Sequence, residues 1–312
     1  MRLRTAALAA LPVLAAAAVA KSRFAPRIGD AALRGVAALE ARQAKLRTRT
    51  VDVAGLPMAI FEGGPAGAPT LVLLHGFSAD RGIWVRFAAH FVRDFHVVIP
   101  DLAGHGETPF DAVADHSVTA QADRVAALLD ALGVEKAHVI GNSMGGAVAA
   151  WFAIAHSERT RSLGLCDALG VKSPQRSDLE GVLDEGRNPF LLDDTAQFDG
   201  FYAMAMARPP FTPRFARHAM ARGYVTRRDQ LERMFAEIQP GHPLDERLGE
   251  ITAPTLVLWG AQDRLLHVSA VGVWAAGIPD VRTIVYDDAG HMPMIEFPKR
   301  TARDYRAFLD SL

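Results

Sequence analysis

The 312-residue sequence has almost no cysteine and almost no net charge. Its one cysteine, Cys166, cannot form a disulfide within the chain, and a single thiol cannot build a cysteine-based metal site. The formal charge of -1 lacks the clustered basic character of nucleic-acid-binding domains. The cysteine count leaves the redox compartment open, and we expect no nucleic-acid partner.

Charge is also missing from one long stretch at the N-terminus. Residues 5–20, TAALAALPVLAAAAVA, are uncharged, and basic residues stand on both sides of them. The run is longer than the usual apolar region of a secretory signal peptide and just shorter than the ~20 residues that cross a bilayer. A soluble amphipathic helix is disfavoured because the run has no polar face. We expect residues 1–20 to be a signal peptide or membrane anchor, and the protein to be exported or membrane-anchored rather than cytoplasmic.

The rest of the chain is rich in short apolar runs, and 50% of all residues are hydrophobic. Two alternating segments that meet at Gly55, LRTRTVDVAG and LPMAIFEGG, predict an antiparallel hairpin at a sheet edge. Six further runs are almost wholly apolar and end at turn residues, which is typical of strands buried on both faces. These predicted strands span residues 70–76, 96–102, 137–143, 162–168, 254–260 and 282–288.

Helical patterns separate most of these strands, and the clearest covers residues 119–132. Alternation of strand and helix predicts an α/β fold with a mostly parallel, doubly wound sheet. The alternation stops after Asp167, where a segment rich in Phe, Met, Arg and Pro predicts an inserted helical cap. We assign residues 46–166 and 250–312 to the core, 167–249 to the cap or lid, and 21–45 to a connector.

A serine stands where a strand is predicted to turn into a helix. Residues 141–145 read GNSMG, the pattern G-x-S-x-G, in which a strained turn lifts a hydroxyl out of the backbone. In an open parallel sheet, ligands bind beyond the carboxyl ends of the strands, so this is the expected place for chemistry. We predict that Ser143 is a nucleophile.

A serine hydroxyl needs a base, and the base needs an acid to orient it. His291 follows the last apolar run, in the loop DDAGHMPMIEFP, and Asp263 follows the preceding strand in LVLWGAQD. The order Ser143, Asp263, His291 is the chain order expected of this kind of triad. Asp167, at the end of an earlier strand, is the other residue from which a carboxylate could reach the histidine.

A tetrahedral intermediate needs N–H donors aimed at its oxyanion. We predict that the backbone N–H groups of Phe77, in LLHGFSAD, and of Met144 supply them. His75 and His105 are interpreted as structural residues of their loops. Asp101, in PDLAGHG, is likewise given no catalytic role.

Together these motifs resemble those of the α/β-hydrolase fold superfamily. The resemblance covers residues 47–312 and rests on HGF, PDLAGHG, GNSMGG, WGAQD and GHMPMIE. Within that superfamily the chain is most similar to bacterial lipases and membrane-associated monoacylglycerol lipases, on account of HGFSADRGIW, RPPFTP and the hydrophobic leader. The resemblance implies an α/β-hydrolase fold with an inserted helical cap, and hydrolysis of lipid esters through an acyl-enzyme without a metal or an organic cofactor. From the hydrophobic leader itself we expect contact with a membrane surface through the N-terminal segment.

Three other functions remain open on the same scaffold. Carbon–carbon bond hydrolases of the meta-cleavage type can share GNSMGG, but they usually carry GPG in the oxyanion loop, where this chain has residues 78–80, SAD. Cofactor-free haloperoxidases keep a serine triad and cannot be separated from esterases by sequence. A non-catalytic binding module is disfavoured because such relatives commonly lose a triad member.

Overall fold

The computed structural model describes residues 35–238 and 244–312. The predicted signal peptide or anchor and most of the connector therefore lie outside the described residues. The described part opens with a helix, α1, at residues 35–43. None of the helices in these two ranges has the length and apolar character needed to cross a bilayer.

Eight strands form one sheet in the order β1-β2-β4-β3-β5-β6-β7-β8. β1 pairs with β2 and β2 pairs with β4 in antiparallel fashion, whereas all other neighbours are parallel. The predicted α/β fold with a mostly parallel sheet is confirmed. The strands are β1 Leu46–Val53, β2 Leu56–Gly63, β3 Thr70–Leu74, β4 His96–Pro100, β5 Ala137–Ser143, β6 Thr160–Ala168, β7 Thr255–Gly260 and β8 Val281–Tyr286.

The predicted hairpin at the sheet edge is present, with Val53 paired to Leu56 across the turn at Gly55. β8 differs from the prediction, because only Tyr286 of its six residues is buried and Val285 is 41% exposed. We expected this strand to be covered on both faces. It is instead the opposite edge of the sheet, where β7 is its single neighbouring strand.

Helices pack on both faces of the sheet and divide the buried apolar side chains into two clusters. The predicted helix at 119–132 is observed at Val118–Ala131, where the Ser117 hydroxyl caps its first turn by accepting the Ala120 N–H. The remaining helices are α2 Val85–Ala88, α3 Val118–Ala131, α4 Met144–Ala155, α5 Asp178–Asp184, α6 Phe198–Ala205, α7 Arg214–Thr226, α8 Arg228–Ile238, α9 Ala270–Gly277, α10 Pro293–Glu296 and α11 Pro298–Leu309.

Helices α5 to α8 occupy the segment between β6 and β7, where the sequence predicts a cap. No strand occurs in the described residues of this segment, 169–238 and 244–254. Because β6 ends at Ala168 and β7 begins at Thr255, the segment leaves the sheet at the carboxyl end of one strand and returns before the next. The segment therefore begins at the carboxyl ends of the strands, where the catalytic residues are expected.

A buried ion pair fixes the turn after β4. Asp101 is fully buried; its carboxylate accepts hydrogen bonds from the backbone N–H of Arg81 at 2.7 Å and of Glu107 at 2.8 Å, and from the Arg81 guanidinium. Burial raises the pKa of the Asp101 carboxyl, and the Arg81 charge and the Glu107 N–H oppose that rise. This network gives Asp101 the structural role that the sequence predicts for it.

Replacing Arg81 with methionine should therefore leave Asp101 buried without its counter-charge. We expect Arg81→Met to lower the free energy of unfolding by about 3–5 kcal/mol, measured by urea denaturation. Glu107→Gln is the matched control, because it removes the charge of the other acid bound to Arg81. The Glu107 side chain is 61% exposed, so this change should lower the free energy of unfolding by less than about 1 kcal/mol. Equal losses in the two variants would contradict this assignment.

Candidate active site

Ser143 lies at the junction between β5 and α4, with no loop between them. Its backbone has φ 56° and ψ -123°, a conformation that non-glycine residues rarely adopt. Such strain costs about 1–3 kcal/mol and persists only where the surrounding structure enforces it. The turn presents a partly exposed serine side chain at the carboxyl end of a central strand.

Two glycines make this turn possible through close backbone packing. A Cβ on Gly141 would lie 1.9 Å from the Gly145 carbonyl oxygen, so strand and helix could not meet. A Cβ on Gly145 would lie 2.4 Å from the Leu74 carbonyl oxygen at the end of β3. The glycines of GNSMG thus bring α4 against the sheet and hold Ser143 in its strained position.

Asp263 and His291 are in contact, although 28 residues separate them. His291 Nδ1 lies 2.7 Å from Asp263 Oδ2, and both residues are buried. The other Asp263 oxygen accepts the backbone N–H of Leu265 at 2.8 Å and of Leu266 at 3.0 Å. Three N–H groups therefore fix this carboxylate, and a proton on Nδ1 leaves Nε2 of the imidazole as the basic nitrogen.

Asn142 joins the turn at Ser143 to the loop that carries His291. Its side-chain NH2 donates to the His291 carbonyl oxygen at 2.9 Å and to the Cys166 carbonyl oxygen at 3.1 Å. The residue next to Ser143 thereby holds the histidine loop against the end of β6. The sequence does not predict this role for Asn142, whose one local signal is an amide side chain in an otherwise apolar strand.

The loop after β3 passes directly over Ser143. A Cβ on Gly76 would lie 2.9 Å from the Ser143 Cβ, so the next residue, Phe77, begins beside the serine. Met144 is the first residue of α4, whose N-terminus carries a partial positive charge. Phe77 thus follows a glycine that contacts Ser143, and Met144 follows Ser143 in the chain; their N–H groups remain the predicted oxyanion donors.

His75 braces this loop. Its Nδ1 donates to the Gly76 carbonyl oxygen at 2.8 Å, and its Nε2 accepts the Leu102 N–H at 3.0 Å, an arrangement that requires a neutral ring. Burial lowers the pKa of His75, which favours the same neutral form. His105 is also buried and bonds the Ala103 carbonyl oxygen, so it belongs to its own turn.

The inserted helices contact the oxyanion loop through a hydroxyl pair and through aromatic rings. Ser78 has φ 64°, and its hydroxyl lies 2.9 Å from the hydroxyl of the half-buried Tyr224 of α7. The Phe77 ring packs against Phe190 at 5.3 Å and Phe235 at 5.5 Å between ring centroids. Aromatic side chains from the segment between β6 and β7 therefore pack against the Phe77 ring of the oxyanion loop.

Asp167, the alternative acid, lies in the same cluster. One oxygen or nitrogen atom from each of Asp167, Asp263 and His291 falls within 4.8 Å of the others. The same spacing would suit a cation, but His291 Nδ1 makes its 2.7 Å hydrogen bond to Asp263. That contact fits a triad in which the acid orients the histidine. Burial, followed by the charge of Asp263, raises the pKa of Asp167 well above its ordinary value.

A groove of about 950 Å³ lies at the other end of the sheet. It is lined by residues at the amino ends of strands, such as Thr70 and His96, and by Lys136 and Arg161. None of its lining residues belongs to the cluster around Ser143. Ligands of open parallel sheets bind at the carboxyl ends of the strands, so we assign the candidate active site to the cluster around Ser143 and not to this groove.

Comparison with known proteins gives a consistent family. Residues 69–298 match the model of the alpha/beta hydrolase fold family. Lipase 3 of a Moraxella species is 31% identical over 279 residues, which cover 88% of each chain. Monoacylglycerol lipase abhd6-B of Xenopus laevis is 27% identical over 80% of this chain and 78% of its own.

Solved structures agree. A crystal structure of a membrane phospholipase A, described as a bacterial virulence factor, superposes with a TM-score of 0.88, 36% identity and 98% coverage of both chains. A Rhodococcus hydrolase of 2-hydroxy-6-oxo-6-phenylhexa-2,4-dienoate superposes with a TM-score of 0.71, but at 20% identity it shows the fold alone, over 85% of this chain and 99% of its own.

The contact between His291 and Asp263 predicts how an amide replacement will behave. Asp263→Asn keeps the shape of the side chain but replaces the carboxylate beside Nδ1 with a neutral amide, which can neither fix the required tautomer nor stabilise the imidazolium. We therefore expect kcat to fall by about 10⁴-fold. Steady-state ester hydrolysis measures the loss, and thermal unfolding verifies that the variant folds. If Asp167 were the orienting acid instead, the variant would keep most of its activity.

Proposed function

The chain belongs to the α/β-hydrolase fold family, and from that premise we propose that it is a carboxylic ester hydrolase that cleaves lipid esters through an acyl-enzyme on Ser143. Its relatives include proteins named lipase and monoacylglycerol lipase. The observation that carries the proposal is the buried pair of His291 and Asp263, held by Asn142 beside the strained turn at Ser143.

In the acylation half-reaction, the Ser143 hydroxyl attacks the ester carbonyl while Nε2 of His291 takes its proton. Asp263 holds the ring through Nδ1 and stabilises the imidazolium without accepting the proton itself. The negative charge that develops on the carbonyl oxygen is met by the N–H groups of Phe77 and Met144. Loss of one such donor typically costs about 2.7–4 kcal/mol of transition-state stabilisation.

Collapse of the tetrahedral intermediate expels the alcohol, which receives its proton from the His291 imidazolium. Water then attacks the acyl-enzyme, with Nε2 again acting as the base. The carboxylic acid leaves and the Ser143 hydroxyl is restored. Each step uses a side chain or N–H group already described at the carboxyl end of the sheet.

The sequence predicts a cap at residues 167–249; because β6 extends to Ala168, we propose that residues 169–249 form the cap that binds the acyl chain. The aromatic rings that this segment places against Phe77, those of Phe190 and Phe235, support an apolar binding wall. Each methylene of substrate buried there would contribute about 0.8 kcal/mol. An acyl chain a few carbons longer should therefore bind much more tightly.

We propose further that residues 1–20 bring the enzyme to or across a membrane, where lipid esters are found. The support is the uncharged run with basic flanks and the similarity to a membrane phospholipase A. A carbon–carbon bond hydrolase is the alternative function. The likeness to the Rhodococcus hydrolase concerns the fold alone, and residues 78–80 lack the expected GPG.

A series of p-nitrophenyl esters with increasing acyl length tests the proposed chemistry. We expect hydrolysis with kcat/KM that rises with chain length, because more methylene groups are buried. Ser143→Ala should lose at least about 10⁴-fold in kcat, whereas Ser157→Ala, in a turn after α4, should keep wild-type activity.

Two results would count against this function. Retained ester hydrolysis in Ser143→Ala would show that Ser143 is not the nucleophile. Absence of ester turnover in the wild type, together with cleavage of a vinylogous diketone, would favour carbon–carbon bond hydrolysis. Circular dichroism of each variant separates loss of chemistry from loss of fold.

Fractionation of cells that express the full chain tests the proposed leader. We expect the protein either in the membrane fraction with its N-terminus intact or exported with a mature N-terminus near Lys21. N-terminal sequencing distinguishes an anchor from a cleaved signal peptide. Full-length protein confined to the cytosolic fraction would contradict both an anchor and a cleaved signal peptide.

A further inference from the structure

A second carboxyl group lies against the acid of the candidate triad. Asp167 is fully buried near the end of β6, and one of its carboxyl oxygens lies within 4.8 Å of a carboxyl oxygen of Asp263. The other titratable groups that face Asp167 are Cys166 on the same strand and His291 after β8. Two buried carboxyl groups this close disfavour each other's ionised form, so at neutral pH we expect the pair to hold one proton.

The hydrogen bonds around the two carboxyl groups show which of them holds that proton. Asp263 accepts three N–H groups: those of Leu265, Leu266 and His291. Asp167 accepts one, the Gly260 N–H at 2.9 Å, and has the Cys166 thiol at 3.5 Å. Hydrogen bonds from N–H donors favour the ionised form of a carboxyl group. Asp263 is therefore the charged partner, and the proton belongs on Asp167.

The electrostatic environment of Asp167 agrees with this assignment. Burial is the largest influence and raises the pKa of Asp167 well above its ordinary value, and the charge of Asp263 raises it further. Burial also raises the pKa of the neighbouring Cys166 thiol, so that group contributes no charge. Asp167 has no positive neighbour among these groups that would favour its ionised form, apart from His291 when the ring is protonated.

We propose that Asp167 is a positioning residue that carries a proton at neutral pH and donates a hydrogen bond to the Asp263 carboxylate. It acts on the reaction through Asp263 and touches neither the substrate nor the serine. This inference rests on the proposed function, because the orientation of Asp263 matters only if His291 is the base. The proposed hydrogen bond adds Asp167 as a fourth side chain to the triad of Ser143, His291 and Asp263.

The donated hydrogen bond has two consequences for His291. It fixes the Asp263 carboxylate from a fourth direction and so limits rotation away from Nδ1. It also withdraws negative charge from Asp263, and so weakens the attraction that stabilises a protonated imidazole. Loss of the donor should therefore lower kcat and move the acid limb of the pH–rate profile to higher pH.

The backbone at residue 167 offers a matched pair of substitutions. Asp167 has φ 45°, a left-handed conformation that asparagine tolerates better than most other residues. Asp167→Asn keeps the backbone, the size, a neutral side chain, an N–H donor for Asp263 and an acceptor for the Gly260 N–H. Asp167→Ala removes the donor and the acceptor together.

Kinetics of the two variants on a p-nitrophenyl ester test the proposal. We expect Asp167→Asn to stay within about threefold of wild type in kcat, with an unchanged acid limb. We expect Asp167→Ala to lose about tenfold in kcat, the value of one hydrogen bond to a charged group, with KM nearly unchanged. The midpoint of its acid limb should rise by about half a pH unit.

Infrared difference spectroscopy provides a readout that does not depend on activity. The wild type at neutral pH should show the C=O stretching band of a protonated carboxylic acid, and this band should disappear in Asp167→Asn. The measurement remains available if Asp167→Ala fails to fold. A wild-type minus Asp167→Asn spectrum with only carboxylate bands would overturn the proposal.

The kinetic results can also overturn it. If Asp167→Asn loses as much activity as Asp167→Ala, an ionised carboxyl group is required and the donor role is wrong. If the loss of activity in both variants follows the decrease in their melting temperatures, and the acid limb of the pH–rate profile does not move, Asp167 is only structural. Failure of the proposed function looks different, since the wild type would then lack ester hydrolysis or Ser143→Ala would retain it.

Discussion

The hydrogen bond between His291 and Asp263 is the interaction on which the rest of the site depends. It is 2.7 Å long and buried, so water does not compete for either partner. The structure supports it from both sides: two backbone N–H groups hold the Asp263 carboxylate, and Asn142 holds the main chain of His291. A histidine oriented in this way can remove a proton only from a hydroxyl that is also held in a fixed position. The turn at Ser143 holds the serine in such a position.

Backbone strain and close packing fix that place. The left-handed conformation of Ser143 is unfavourable in isolation and is enforced by α4, which lies against the sheet because residues 141 and 145 have no side chain. Ser78, in the loop that passes over the serine, and Asp167, at the end of β6, also have positive φ angles. Strained residues thus occur at the carboxyl ends of three neighbouring strands, β3, β5 and β6, around the same site.

Sequence patterns predicted the α/β fold, the edge hairpin and the mostly parallel sheet, because the apolar runs and their turn residues are local signals. The exposure of β8 was missed, since an apolar run does not reveal which strand ends the sheet. Chain order and loop position pointed to Asp263 and His291, and the structure brings them into contact. The roles of Asn142 and Tyr224 could not be predicted, because their hydrogen bonds join residues 149 and 146 positions apart.

We propose that Ser143, His291 and Asp263 act as a unit, with the N–H groups of Phe77 and Met144 around the developing oxyanion. A crystal structure of the protein after reaction with a p-nitrophenyl alkylphosphonate tests it most directly. We expect a phosphorus–oxygen bond to Ser143, a phosphonyl oxygen about 2.7–3.1 Å from both N–H groups, and Nε2 of His291 beside the serine oxygen. A phosphonate bound to another residue, or a phosphonyl oxygen that contacts neither N–H group, would contradict it.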